Sequence, residues 1–323
     1  MLPNFLSRRA FVLLPLLFLL ACEKSGNVLP PNAGDTVVNV DADLFAAADL
    51  TEPITTVACR LSDGTESTCF RLVVRSIPRD HRVGPWCPTH VSDTDSAGGI
   101  WLEKDHVHDV DGHFVKNMAE FYQDDAWKMY DAEGNIYVTK TREECAAAAR
   151  PDVDPKYHNH CVECLPGYVS DITNTYLIPV TPHRQATATA FARGRGRGVS
   201  VRGVAFNGVR FDAPAPTDAI LGARTLAPFD DAGGHINLNA GYHYHAATGM
   251  TTEVKSTDGH APMIGYALDG HGLYAHLDAA GNEATDLDDC RGHYDDVRGY
   301  HYHVDAAGSN NFINCLGGAY ATE

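Results

Sequence analysis

A twelve-residue phrase that occurs twice constrains the fold of this chain more than any other feature. The first copy spans residues 234–245 and reads Gly-His, five residues, then Gly-Tyr-His-Tyr-His; the second spans residues 292–303 with the same spacing. Histidine is an uncommon residue, so an identical spacing 58 positions apart indicates a duplicated structural unit. The sequence therefore predicts two repeated units, at about residues 205–249 and 267–308.

The alternation of the phrase predicts a strand with two chemically different faces. Successive side chains of a strand point to opposite faces, so both imidazoles of Tyr-His-Tyr-His lie on one face and both phenols on the other. The five intervening residues allow a turn that returns the earlier histidine to that pair. Neutral imidazoles bind transition metals, and zinc or copper is expected here. The candidate ligands are His235, His243, His245, His293, His301 and His303.

Two arrangements of these histidines are open at this stage. Each copy could form its own three-histidine site, or the copies could face each other and share one site built from His243, His245, His301 and His303. A metal-free interpretation also stands, in which the tyrosines pack under a sheet and the histidines only order loops by hydrogen bonding.

The second copy carries an acid and an imidazole that the first copy lacks. Asp269-Gly-His271 stands where the first copy has Asn207-Gly-Val209. Asp269 and His271 are therefore candidate catalytic residues, as a general base or as a carboxylate that supports the ligands. An Asp-Gly pair is also an ordinary turn signal.

The first 22 residues have the pattern of an export signal. Arg8 and Arg9 precede an apolar run at 11–20, and Ala-Cys22 follows it. The segment resembles a bacterial lipoprotein signal, which implies lipidation of Cys22 and attachment to a membrane. The expected location is the cell envelope, on a periplasmic or outer-membrane surface, with residues 23–36 as a tether. An ordinary cleaved signal is the alternative.

Eight further cysteines in an exported protein predict disulfides. Cys59 and Cys69 flank an Asp-Gly turn between two alternating runs, which favours a bridge across a hairpin. Cys290 and Cys315 bracket the second Tyr-His-Tyr-His phrase and could be joined. The pairing of the other four remains open.

Two smaller histidine groups have no assigned role. One is His106 and His108. The other is His158 and His160, which stand beside Cys161-Val-Glu-Cys164. That mixture could bind a metal, but disulfides are favoured for the cysteines in an oxidising compartment.

The predicted fold class is mainly β, with antiparallel sheets and one or two short helices in the N-terminal half. A disulfide-containing mixed region at 37–170 precedes the duplicated domain at 171–323. The pattern predicts helices at 118–130 and, from a capping-box start, at 141–149. The formal net charge of −17 argues against a nucleic-acid partner, which needs a basic face.

Several segments together resemble the YHYH-domain family of bacterial exported proteins. They are Val204-Ala-Phe-Asn-Gly-Val209, Pro262-Met-Ile-Gly-Tyr-Ala-Leu-Asp-Gly270, and Cys290-Arg-Gly-His to Cys315-Leu-Gly-Gly318, together with the two phrases. The resemblance covers about residues 172–318. Where family members have Phe-Pro after Asp-Gly, this chain has His271-Gly272. The resemblance implies an exported domain and leaves its chemistry open.

The predicted function is a lipid-anchored protein that binds a transition metal through the histidines of its duplicated domain. One alternative is a metal-dependent hydrolase or oxidase that uses an open coordination position. The other is a metal-free structural or adhesion module.

Overall fold

The computed structural model describes residues 34–150, 152–192 and 198–322. The predicted leader with Cys22, and most of the predicted tether, lie outside the described residues. Within the described part of the chain, no helix has the length and apolar character needed to cross a bilayer.

The described residues form short strands with a few short helices, which confirms the predicted mainly β class. The α-helices are α1 Gly112–Lys116, α2 Met118–Phe121, α3 Arg142–Ala148 and α4 Thr217–Gly222. Single 3-10 turns lie at Ala42–Ala47, Asp95–Ala97, Pro155–Tyr157, Pro166–Tyr168 and Ala307–Ser309. The strands before the duplicated phrase are β1 Thr55–Arg60, β2 Glu66–Arg75, β3 Ile100–Glu103, β4 His106–Asp109, β5 Thr173–Pro179, β6 Arg184–Ala190, β7 Gly203–Ala205 and β8 Arg210–Phe211. The remaining strands are β9 Gly234–Asn237, β10 Gly241–Tyr244, β11 Met263–Ala267, β12 Gly272–Tyr274, β13 Gly292–Asp295, β14 Gly299–His303 and β15 Cys315–Gly318.

The strand order of the largest sheet reflects the duplication of the sequence. Its eight strands run β13-β14-β12-β11-β7-β8-β10-β9, so each half repeats the same order outward from the centre. Strands β7 and β11 pair antiparallel at the centre, while β8 with β10 and β12 with β14 pair parallel. The two copies are therefore related by an approximate twofold axis between β7 and β11, and each phrase forms a hairpin at one edge.

Smaller sheets flank this one. Strands β1, β2 and β5 form a three-stranded antiparallel sheet, and β3-β4 and β15-β6 form two-stranded sheets. β5 begins at Thr173, close to the predicted boundary at 170, and pairs along its length with β2. Leu72, Ile178 and Phe206 share one apolar cluster, so the three-stranded sheet packs on the loop after β7.

All eight cysteines of the described region form disulfides. The predicted bridges Cys59–Cys69 and Cys290–Cys315 are confirmed. The four cysteines left open pair as Cys87–Cys161 and Cys145–Cys164. Thiolate ligands are therefore absent from the described residues in this structure, as favoured for the segment beside His158 and His160.

The predicted helix at 118–130 is wrong beyond its first turn. α2 ends at Phe121, and Gln123 adopts a left-handed φ of 53°. The carboxylate of Asp124 then accepts a hydrogen bond from the Ala126 amide at 3.0 Å, which closes a turn instead of continuing the helix. The aromatic pattern reflects packing of an irregular segment, in which Trp127 is buried. The capping-box helix is confirmed, since the Thr141 hydroxyl accepts from the amide of Glu144 at 3.2 Å.

Candidate metal centres

Each phrase folds into a tight hairpin that places its first histidine opposite its second. His235 pairs with His243 in one hairpin, and His293 with His301 in the other. The glycine before the first histidine is required by packing. A Cβ on Gly234 would lie 2.3 Å from the Tyr242 ring. The corresponding Cβ on Gly292 would lie 2.1 Å from the hydroxyl of Tyr300, so any other residue would displace the tyrosine.

The first cluster consists of His235, His243 and His245. The Nε2 atoms of His235 and His245 are 3.2 Å apart, and one ring nitrogen from each of the three residues lies within 4.8 Å of the others. The two histidines of the Tyr-His-Tyr-His segment are buried, at 2% and 5% exposure. The hairpin thus brings His235 beside His243 and His245, as the spacing of the phrase predicts.

The second cluster contains four histidines: His260, His293, His301 and His303. The Nε2 atom of His293 lies 2.9 Å from that of His301 and 3.1 Å from that of His303. His260 reaches His301 with an Nε2–Nε2 distance of 3.0 Å. His260 is not among the predicted ligands, because it precedes β11 and lies outside the repeated phrase.

The two clusters lie at opposite edges of the eight-stranded sheet, on β9-β10 and β13-β14. The alternative of one site shared by His243, His245, His301 and His303 is therefore wrong. Because the approximate twofold axis lies between the central strands, the two hairpins lie at opposite ends of the sheet and do not face each other.

Hydrogen bonds at Nδ1 determine the tautomer of four of these imidazoles. Nδ1 of His243 lies 3.0 Å from the carbonyl of Gly241, and Nδ1 of His301 lies 2.9 Å from that of Gly299. Nδ1 of His303 and of His260 each lie 3.0 Å from a backbone carbonyl as well. A carbonyl can only accept, so Nδ1 carries the proton and Nε2 presents a lone pair.

Lone pairs that face each other at about 3 Å repel unless a cation lies between them. Nitrogens bound at about 2.0–2.1 Å to a tetrahedral ion are about 3.3 Å from one another. The closest Nε2–Nε2 distances, 2.9 to 3.2 Å, approach this value. The geometry therefore fits a metal ion at the centre of each cluster, and the tautomers also fit one in the second cluster.

Five of the cluster histidines have low pKa values and are neutral at pH 7. Burial lowers the pKa of His235, His243, His245 and His301 to about 3, and that of His303 to about 4, and the neighbouring imidazoles add to the effect. At neutral pH these side chains are therefore unprotonated at the nitrogen that would bind a metal.

The opposite face of each strand is fixed by buried tyrosines whose hydroxyls are hydrogen-bonded. In the first copy, Tyr242 donates to the carboxylate of Asp230 at 2.8 Å, and the Asn207 amide donates to Tyr244 at 2.7 Å. In the second copy, Tyr300 donates to Asp288 at 2.8 Å, and Tyr302 donates to Asp269 at 2.6 Å. The tyrosines therefore hold one face of each strand in place, and the histidines on the opposite face form the cluster.

Asp269 lies on this tyrosine side and not beside the ligands. It is fully buried and also accepts from the Gly318 amide at 2.9 Å. His271 Nδ1 lies 3.2 Å from the Asp269 carboxylate, and its ring packs edge-on against Tyr300. His271 lines a cavity of about 330 Å³ that His301 also reaches. A catalytic role for the pair stays a prediction.

The remaining histidine groups do not converge in the same way. His106 and His108 lie on β4, where the His108 ring stacks on Phe114. Beside the second cluster, His276, Glu283 and Asp305 also come together, but Arg291 forms ion pairs with both carboxylates at 2.6 and 3.3 Å. The Arg291 guanidinium therefore already balances the charge of these carboxylates, so we do not count this group as a metal centre.

The fold and its two centres define a class: an internally duplicated β-sheet domain with a histidine cluster on each outer hairpin. Residues 175–286 match the family described as YHYH protein, so this segment is a YHYH domain and the predicted resemblance is confirmed. The matched segment contains the first phrase and His260, and it ends before the second phrase. No curated protein and no solved structure was found to match the chain.

Proposed function

We propose that this protein binds transition-metal ions, zinc or copper, at two separate all-histidine centres of its YHYH domain. The first centre is His235, His243 and His245; the second is His260, His293, His301 and His303. One observation carries the proposal, namely the convergence of imidazole nitrogens in each centre. In the second centre the converging atoms are Nε2 lone pairs, because Nδ1 of His260, His301 and His303 contacts a backbone carbonyl. Hydrogen bonding alone does not account for the contacts within the second centre, because a neutral imidazole protonated at Nδ1 has no proton to donate from Nε2.

We further propose that the protein acts in the cell envelope, attached by a lipid on Cys22. The sequence of the leader supports this location, as do the four disulfides, which are typical of exported proteins. In this compartment cysteine thiols are oxidised to disulfides and cannot bind a metal as thiolates. Imidazole is then the remaining common protein ligand for zinc or copper.

The test is elemental analysis of the protein expressed with its own leader and purified from the membrane fraction. About two metal equivalents per chain are expected, falling to about one in His243→Ala/His245→Ala and in His301→Ala/His303→Ala. The control is His106→Ala/His108→Ala, which removes a His-x-His pair outside both clusters and should leave the metal content unchanged.

Circular dichroism would verify that each variant is folded. A folded parent protein without metal, or variants that retain the parental content, would contradict metal binding and favour the metal-free structural module. Recovery of the protein only in the soluble fraction would contradict the lipid anchor without affecting the metal proposal.

A further inference from the structure

We infer that the first centre is an open metal site that binds a small organic ligand, whereas the second is closed. The inference rests on the proposed function, since both centres must hold metal. The ligand class is an apolar molecule with a single nitrogen or oxygen donor. The donor would complete the coordination of the metal, and the apolar body would occupy the adjoining cavity.

The number of ligands is the first reason. The second centre has four imidazoles, which complete a tetrahedron and correspond to a closed site. The first has three, which leaves a coordination position free. His260 makes the difference: it comes from the segment before β11, and among the described residues no fourth histidine joins the first cluster.

The cavity beside the first centre is the second reason. A cavity of about 580 Å³ opens onto all three histidines, and its size lies within the range of about 300–1,000 Å³ that is common for small-molecule sites. Its walls include Ile236 of β9, Ile220 of α4 and Val162. On the far side, α3 and the Cys145–Cys164 disulfide complete it. The region before the YHYH domain therefore supplies part of the wall of the cavity beside this edge hairpin.

The polar groups of the cavity set the chemistry of the ligand. The Asp212 carboxylate is paired with Arg210, so it is not available to neutralise a cationic ligand. The Asn237 side-chain amide lies 3.3 Å from Nε2 of His243, the nitrogen that would bind the metal. The remaining lining is largely apolar, so a ligand gains most of its affinity from one donor on the metal and from burial of an apolar body.

The second centre adjoins a smaller cavity than the first. His301 reaches the smaller cavity of about 330 Å³, but its Nε2 atom faces His293 and His260 at 2.9 and 3.0 Å. The rings of Tyr274 and His260 pack edge-on with centroids 4.8 Å apart. The metal-binding nitrogens therefore face one another, and four imidazoles leave no coordination position free for a further ligand.

The experiment uses cobalt(II) as a spectroscopic substitute in the full mature chain. His301→Ala/His303→Ala leaves only the first centre, and His243→Ala/His245→Ala leaves only the second. Azide should change the visible spectrum of the first centre and leave the second unchanged. In the wild-type protein loaded at both centres, only part of the cobalt absorption should respond, which tests the idea even if a double variant fails to fold.

Imidazole and 4-phenylimidazole then test the cavity. Burial of the phenyl ring should make the second compound bind the first centre about tenfold more tightly or better. Ala146 is exposed at the rim of the cavity on α3. Ala146→Trp should narrow the mouth and abolish most of that gain while leaving the azide response intact.

The outcomes separate the two proposals. Cobalt binding at the first centre without any azide response would overturn the open site and leave metal binding established. Equal affinities for the two imidazoles, with an intact azide response, would overturn the ligand class. A folded protein that binds cobalt at neither centre would overturn the proposed function itself.

Discussion

Acidification should unfold the metal-free protein well above the pH at which ordinary carboxylates titrate. Five buried histidines have folded pKa values near 3 or 4, whereas an unfolded histidine titrates near 6.5. Between about pH 6.5 and pH 3, the unfolded chain therefore binds more protons than the folded chain. The stability that these neutral imidazoles contribute is present above pH 6.5 and is lost as the pH falls toward 3.

The size of the effect follows from the difference in pKa. Each such histidine costs roughly 1 kcal/mol of unfolding free energy between pH 7 and pH 5.5. Five such groups would together cost roughly 5 kcal/mol, which is comparable with the lower end of the stability of an ordinary domain, about 5–15 kcal/mol. A bound metal competes with protons for the same nitrogens, so the metal-loaded protein should resist acid to a lower pH.

Urea denaturation of chelator-treated protein at a series of pH values measures this directly, with fluorescence of the three tryptophans as the signal. The expected result is a fall of several kcal/mol between pH 7 and pH 5.5. His301→Gln/His303→Gln removes two of the five groups and should reduce the slope by roughly two fifths. An unfolding free energy that is constant across this range, or an unchanged slope in the variant, would refute the assignment of neutral buried imidazoles.

Two further changes test the support around the second centre. Tyr302→Phe removes a buried hydroxyl that donates to Asp269 and accepts from the amide of Gly317 at 2.7 Å; it should lower the unfolding free energy by about 1.5–3 kcal/mol, measured by urea denaturation. Asp286→Asn weakens the acceptor 2.8 Å from Nδ1 of His293 and should lower metal affinity by about 10–100-fold in a chelator competition, while the first centre keeps its affinity.

The repeated phrase was sufficient to predict most of each centre because its spacing encodes local geometry. Strand alternation places His243 and His245 on one face, and a five-residue connection is short enough to force a hairpin that returns His235. These are short-range consequences of the backbone. The predicted bridge Cys59–Cys69 has the same character, since it closes a hairpin of adjacent strands.

What the sequence did not reveal depends on long-range packing. The separation of the two centres follows from the pairing of β7 with β11, and nothing in either phrase specifies that contact. His260 becomes a ligand because the segment before β11 passes the second hairpin. The cavity at the first centre requires α3, which lies about ninety residues away along the chain from the histidines it faces.

The two copies share one scaffold, and their differences around the metal are chemically consistent with different roles. In the second copy, Asp286 accepts from His293, and the carboxylate of Asp295 lies 4.0 Å from Nε2 of His301. At the position of Asp295, the first copy has the neutral Asn237. Carboxylates near the imidazoles make them more basic and favour a bound cation, so the four-histidine centre should hold its metal more tightly. The carboxylate near the three-histidine centre is that of Asp212, which is already paired with Arg210. This centre adjoins the larger cavity, which is the arrangement expected where a coordination position must exchange ligands.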